Sequence, residues 1–584
     1  MAARRACLGV ALLASAALGQ TPSFRATVQE VLVPVSVLNK SGKPVLGLTR
    51  DAVQLFFDGR PVAIGSFRAV NAAPPAASSA ATRRVPALPP NVFVNIPASA
   101  GARQTRVVLL LDYLNTTTSE RQRMRMQLVR FLRQRRQGET AVAIYGMTDS
   151  LLLLQPFTSD PSALARAAGE ILAAKPGRGA PGLPPPAVVG TAALEPLAPA
   201  ELAQAGITVA AGQPAGTNDG AIEYFVARER WVEANLNRLL RARYVLAQFE
   251  QLARSLSGIP GRKEVLWLTS DASPLNPSLM YQQVLEDPAA ESLRVQAADV
   301  GAAYRALAAA DVSVFPVDVR GVSNPGLLGA GSQASHASFE VMMGHSSPGE
   351  DATSGFADHA ESLAADSSLA MAGAAVSTGG EVLANNNDLG ALLLRAESLW
   401  SSYYLLSAVA PPAAPGYHKI EVKVAPKGVK LLFRRGFATE SAAQAAAPKA
   451  RESDLQQAAH VLMDATGVEI VLYLGKPRRV GQGAELPFTA TIWGPSLNSE
   501  KTPRGQRYFF TAATVSIAAA GKVVASAGQD FDRVLAPAAA AQVAARGYTF
   551  SGKFVIPGSG EYYGRLIVRD DFSGRLGTIT LRLR

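Results

Sequence analysis

Three apolar runs in this chain of 584 residues end beside an acid. Val107–Leu111 stops at Asp112, Val265–Leu268 runs on to Asp271, and Val312–Val317 stops at Asp318. Such runs are expected for strands buried on both faces of a sheet. In an open α/β sheet, ligands bind in the crevice outside the carboxyl ends of the strands. An acid placed there can ligate a hard cation, face a ligand, or cap the next helix or turn. For Asp318-Val319-Arg320, a local ion pair or turn role is expected.

Other chemistry is weaker. His336, His345 and His359 share one Gly/Ser-rich stretch, but their spacings match no tight metal-ligand pattern. Asp570-Asp571 with Gly574 could hold Ca²⁺, although a charged hairpin turn is the expected role. Gly258–Lys263 superficially looks like a phosphate loop, yet it precedes a strand and offers no helix N-terminus. G-x-S-x-G, G-x-x-x-x-G-K-[ST], H-E-x-x-H and a strand-linked G-x-G-x-x-G are all missing, so no enzyme is expected. Cys7 is the only cysteine and lies in the N-terminal apolar segment. A mature chain without it has no disulfide, thiol catalysis or cysteine metal site.

Residues 1–19 read as a signal peptide. Arg4 and Arg5 precede the apolar segment Ala6–Leu18, and small residues place cleavage near Gly19. The segment is too short to span a bilayer, and no transmembrane segment is expected in the mature chain. A secreted, periplasmic or envelope location follows. The formal charge is +11. The arginines are spread along the chain with no aromatic–basic stripe, so nucleic-acid binding is not expected.

The elements that would position the acids follow in order. Residues 24–70 read as a β module with turns at Asn39–Gly42 and Asp58–Pro61. Residues 71–102 are Ala/Pro/Ser-rich and read as a linker. Residues 103–400 alternate strand and helix, which implies an α/β domain with a parallel sheet and helices on both faces. Two Gly-rich insertions interrupt it, 175–219 and 321–365. Its first helix is expected from Ser119, capped by a Ser119/Gln122 box, to about Arg136. Seven arginines lie on that helix. They can form an anion-binding face or a solvated one, and the solvated face is the common case. Asn387 or Asp388 is expected to cap the last helix. Residues 401–437 read as strands that complete the N-terminal β module, because neither strand set alone has area for a core. Residues 438–451 read as a second linker, and 452–584 as a C-terminal β-sandwich.

Several blocks, in order, carry a resemblance: VPVSVLNKSGKPVLGLTRDAVQLFFDGRPVAIGSF, VVLLLDYLNTT, GRKEVLWLTSD, STGGEVLANNNDL, SYYLLSAVAP and HKIEVKV…GVKLLFRRGF. Over Val28–Phe437 the chain resembles the von Willebrand factor type A-related family of secreted acidobacterial proteins. DDFSGRLGTITL resembles the sandwich end often attached to that family. The resemblance implies a Rossmann-like A-type domain without established catalytic activity. Many A domains hold Mg²⁺ through a D-x-S-x-S loop, a separate Thr and a later Asp, leaving a position for a partner's carboxylate. Carried over, this implies Asp112, Thr116 and Asp271 as metal ligands. Leu114 stands at the first Ser and cannot ligate, so Asn115 or water would substitute. The separate Thr falls in the first insertion, where Thr217 is a guess. The implied function is protein–protein or adhesive binding at the sheet edge around Asp112, to a protein or envelope partner. The alternative is an envelope scaffold whose C-terminal sandwich carries the binding.

Overall fold

The computed structural model describes residues 30–71, 88–95, 106–135, 140–148, 150–170, 239–259, 261–275, 297–322, 367–409, 416–439, 445–461, 463–518 and 522–583. The signal peptide, the three histidines, Thr217 and nearly all of both insertions lie outside these residues. The described chain is a mixed α/β protein with a C-terminal antiparallel region.

The chain opens with strands β1 (Glu30–Leu38), β2 (Val53–Phe57), β3 (Arg60–Val62) and β4 (Ile64–Asn71). In β1, Val31, Val33, Val35 and Val37 alternate into one core, the period expected of a strand with one buried face. A short strand β5 (Val92–Val94) follows, inside the stretch read as a linker.

Next come β6 (Arg106–Asp112), β7 (Val142–Met147), β8 (Leu151–Thr158), β9 (Lys263–Thr269) and β10 (Val312–Asp318), in sheet order β10-β9-β6-β7-β8. All but β8 run parallel. Every residue of β6, β7, β9 and β10 is buried, because helices cover the sheet on both sides. On one face lie α1 (Thr118–Gln134), α2 (Pro161–Glu170) and a later helix, Leu389–Trp400. On the other lie helical residues 239–256, Ala297–Ala309 and 367–378. In chain order these four are α3 (239–256), α4 (Ala297–Ala309), α5 (367–378) and α6 (Leu389–Trp400).

The chain then adds β11 (Ser402–Val409), β12 (Gly416–Val424), β13 (Lys430–Leu432) and β14 (Gly436–Thr439). These pair with the first strands to make two four-stranded sheets, β13-β1-β11-β4 and β14-β12-β2-β3. The β1–β11 register runs from Glu30 opposite Val409 to Val35 opposite Tyr404. Valines, leucines and phenylalanines from both sheets share one core. The α/β domain is therefore inserted between two halves of one β module.

Helix α7 (Pro448–His460) begins inside the stretch read as the second linker. Beyond it are β15 (Ile470–Leu474), β16 (Arg478–Val480), β17 (Gly483–Ile492), β18 (Ser499–Thr502), β19 (Gly505–Ala518), β20 (Val523–Leu535), α8 (Pro537–Arg546), β21 (Tyr548–Ile556), β22 (Tyr562–Asp570) and β23 (Leu576–Leu583). They form two antiparallel sheets around one core. One of those sheets, β16-β17-β15-β5, takes its outermost strand from residues 92–94. Asn95 secures that addition. Its amide donates to Ala465 O at 2.9 Å and Val468 O at 2.7 Å, and its Oδ1 accepts from Ile470 N at 2.9 Å. The same region docks on the end of α3, where Thr466 N donates to Arg254 O at 3.1 Å and Thr466 Oγ1 to Ser255 O at 2.8 Å.

Candidate functional site

In the central sheet, β6 connects onward to β7 on one side, while β9 connects onward to β10 on the other. The strand order reverses between β6 and β9, which is where an open α/β sheet leaves a crevice at its carboxyl edge. Three loops meet at this edge, beginning at Asp112, Ser270 and Val319.

Asp112 is completely buried and all its acceptor capacity faces inward. Oδ1 accepts from Leu114 N at 3.1 Å and Asn115 N at 3.0 Å. Oδ2 accepts from Asn115 Nδ2 at 2.9 Å, Trp267 Nε1 at 3.2 Å and Thr269 Oγ1 at 2.8 Å. Burial pushes the Asp112 carboxyl above its ordinary value, against the pull of these donors. Thr116 Oγ1 is turned back to the Asp112 carbonyl. Ser270 Oγ donates to Asn115 O at 2.6 Å, which pins the loop to the end of β9. Leu114 is 8% exposed and belongs to the core beneath the loop.

Helix α1 starts directly after this loop. Its N-cap is Thr117, two residues before the expected Ser119, and the box is completed by Glu120 rather than Gln122. Glu120 Oε2 accepts from Thr117 N at 2.9 Å. The earlier start prevails because a carboxylate forms the stronger, charge-assisted bond and favours the helix N-terminus. Arg121 then reaches back over the loop. Its Nε donates to Thr116 O at 2.8 Å and its Nη2 to Tyr113 O.

Asp271 is half-buried and accepts from Ser273 N at 2.8 Å through Oδ1, so it caps a short helical turn, Ser273–Leu275. Its backbone N–H donates to Thr269 Oγ1 at 3.3 Å. Asp318 is engaged by Arg320, with Nη2 to Oδ2 at 2.6 Å and Nε to Oδ1 at 2.9 Å. Arg123 from α1 donates to the Val319 and Arg320 carbonyls, each at 3.3 Å. Asp388 is the N-cap of α6, accepting from Ala391 N at 3.2 Å.

The structure thus brings Asp112, Asn115 and Thr116 together with Thr269, while Asp271 turns to its own loop. As arranged, these residues do not fit Mg²⁺, which needs oxygens free to point at it in near-octahedral geometry. Both Asp112 oxygens face N–H and O–H donors, and Thr116 faces a carbonyl. Asn115 Oδ1 is a buried acceptor left without a hydrogen-bond partner, as are the hydroxyls of Tyr113 and Ser273 in the same loops. Among the described residues no group of three or more His, Cys, Asp or Glu could hold a metal. The hydroxyls of Thr116, Thr269 and Ser270 are likewise engaged in holding the loops. The arrangement can present a stiff surface with Arg123, Arg320, Asp271 and Val322 at its rim, Val322 being 57% exposed.

Sequence reasoning missed Trp267, Thr269 and Ser270. Trp267 reads as core in an apolar run, and only its indole N–H, aimed across to β6, links it to Asp112.

The opposite, amino-end edge of the sheet packs against the β module and is charged. Arg262 pairs with Glu264, and its guanidinium lies 4.9 Å from the centre of the Tyr403 ring. Lys263 Nζ donates to Ile259 O at 2.9 Å. Arg434 donates to Ala308 O at 2.8 Å and Leu32 O at 2.5 Å, which clamps β1 to α4. Burial pushes the Glu264 carboxyl up to about 7, despite Arg262.

In the C-terminal region, Asp570 and Asp571 are spent on structure. Asp570 accepts from Ser573 Oγ at 2.7 Å, Asn498 N at 3.1 Å and Phe572 N at 3.2 Å, which builds the hairpin turn. Asp571 pairs with Arg569 at 2.6 Å and Arg451 at 3.3 Å, and accepts from Thr511 Oγ1 at 2.7 Å. Arg569 also reaches Asp454 at 2.8 Å and Ala445 O at 2.9 Å, so it ties α7 to β22.

No family model and no curated protein matches this chain.

Proposed function

We propose that the protein is an extracytoplasmic binding protein of von Willebrand A type, which engages a protein or envelope partner through the carboxyl edge of its central sheet. The observation that carries this reading is the reversal of strand order between β6 and β9, with three braced loops at one edge. The site works without a metal bridge in this reading. A partner carboxylate meets the rim arginine Arg123 directly, because a guanidinium matches carboxylate geometry. Preorganisation supports it, since loops already held by Asp112 and Ser270 lose little freedom on binding. Among the described residues no helix is long and apolar enough to cross a membrane.

A second reading places binding on the C-terminal sandwich, with the α/β domain as scaffold. The exposure of Trp493 and Tyr473 on its surface favours this. The two readings separate by capture from an envelope fraction with the full-length protein. Arg123→Glu/Val322→Glu alters the sheet edge, and Trp493→Ala/Tyr473→Ala alters the sandwich. Partners lost only with the first pair support the leading reading. Partners lost only with the second move the function to the sandwich.

A further inference from the structure

Helix α1 has a second, outward face that the sheet-edge site does not use. Arg125, Arg130 and Arg133 are exposed there, and Met126 among them is 67% exposed. None of the three arginines has an acid partner among the described residues. The acids of α1 and α6 are each held by a cap or an ion pair. Glu120, the only acid of α1, closes the capping box. Glu397 of α6 pairs with Arg135. Glu381 takes Lys430 at 2.9 Å and Arg395 at 3.6 Å, and Asp388 caps α6. The outward face of α1 therefore carries exposed arginines that the acids of α1 and α6 do not pair.

The neighbouring helices extend this surface. Gln127 Oε1 accepts from Leu389 N at 2.6 Å, and Arg135 pairs with Glu397. These two contacts set α6 beside α1 in the same direction. Leu394 of α6 is 59% exposed, and Arg166 of α2, which packs on the other flank of α1, is exposed as well. Exposed arginines lie beside large exposed apolar side chains across α1, α2 and α6.

We propose that this face is a docking surface for an anionic membrane, seated peripherally through α1. Opposite charge draws the guanidiniums to acidic headgroups, and Met126 and Leu394 enter the headgroup–acyl boundary. A soluble polyanion would use the arginines but gain nothing from the two apolar side chains. The surface is distinct from the sheet edge, and it stands whether or not that edge binds a partner.

The test is flotation of the full-length protein with vesicles of phosphatidylcholine alone and of phosphatidylcholine mixed with phosphatidylglycerol. Binding to the mixed vesicles only, weakened by salt, is expected. Arg125→Gln/Arg130→Gln/Arg133→Gln should weaken it on the order of a hundredfold, at about fivefold per charge. Glutamine is a good helix former, so melting should be unchanged. Met126→Ser/Leu394→Ser should weaken it about tenfold. Lys476→Gln/Arg478→Gln/Arg479→Gln removes the same charge from an exposed C-terminal hairpin and should cost less than about fivefold. Equal losses from the two charge triples would overturn the proposal in favour of net charge alone. No vesicle binding, or binding indifferent to Met126 and Leu394 and matched by heparin, would overturn it in favour of no surface or a polyanion.

Discussion

Asp112 and Asp571 are both completely buried acids at strand ends, and the chain holds them by opposite means. Around Asp112 there are five neutral donors and no cation in contact. Around Asp571 there are two guanidiniums and one hydroxyl. The first arrangement is local: three of its five donors come from the next three residues, and the others come from the adjacent strand. It shapes one loop. The second joins α7, β19 and β22, and it fastens a helix to a sandwich. Dipoles suffice to shape a loop, whereas full charges are spent where separate elements must be held together. The two edges of the central sheet differ in a related way. The amino edge adds a fully buried pair, Arg262–Glu264, whereas the one ion pair of the carboxyl edge among the described residues, Asp318–Arg320, lies within a single loop.

If that contrast is right, the largest loss should come from breaking the charged network on one side. Arg569→Met strands Asp571 and Asp454 without their shared cation and should cost about 3–5 kcal/mol. Denaturant unfolding with hydrogen exchange on β22 and α7 reads it. Replacing Arg569 by Met and Asp571 by Leu together should recover part of that loss, because no unpaired carboxylate remains at β22. Asp112→Ala leaves five donors unpaired and should cost about 2–4 kcal/mol, with exchange rising at Asn115 and Trp267. Mg²⁺ at millimolar concentration should not raise the melting temperature of the unaltered protein. A saturable rise abolished by Asp112→Ala would show that the loop rearranges around an ion.

Glu264 lies between the two cases, with one cation and otherwise no hydrogen-bond partner. Its carboxyl sits up at about 7 when folded, against an ordinary 4.5 when unfolded. The folded state therefore binds the extra proton in this window, and stability falls as pH rises from about 4.5 to about 7, then levels. The fall should be about 3 kcal/mol, and Glu264→Gln should flatten it in melts across that range. The smallest effect is expected where no buried ion is involved. Asn95→Ala removes three hydrogen bonds and should cost about 1–2 kcal/mol, read as faster exchange at Val92–Val94.

The sequence made the parts with short-range causes legible. Unbroken apolar runs marked β6, β9 and β10, and Asp388 was one of two candidates for the cap of α6. The start of α1 missed by two residues because two overlapping boxes compete, Thr117/Glu120 and Ser119/Gln122, and the carboxylate wins. Val92–Val94 was hidden because three apolar residues in an Ala/Pro-rich stretch have no period. They become a strand only where β15 offers an edge. Helix α7 was hidden for a related reason: its surroundings are Ala-rich, and its ties to Arg569 cross more than a hundred residues. At the site, Asp112 was legible as a strand-end acid. The donors that claim both its oxygens were not, since Trp267 and Thr269 reach it only through sheet pairing.

The pairing of β1 with β11 also governs the order in which the molecule can be made. Synthesis at about 5–20 residues per second delivers Glu30–Leu38 some tens of seconds before Ser402–Val409 exists. Throughout that interval a valine-rich strand has no neighbour on that side, and such an edge invites pairing with other chains. Val92–Val94 waits longer still, for Ile470–Leu474. A nascent chain of this protein thus needs a holding factor, or a passage that keeps it extended, until its later half arrives. A truncation before Ser402 would cost the early module its fold as well.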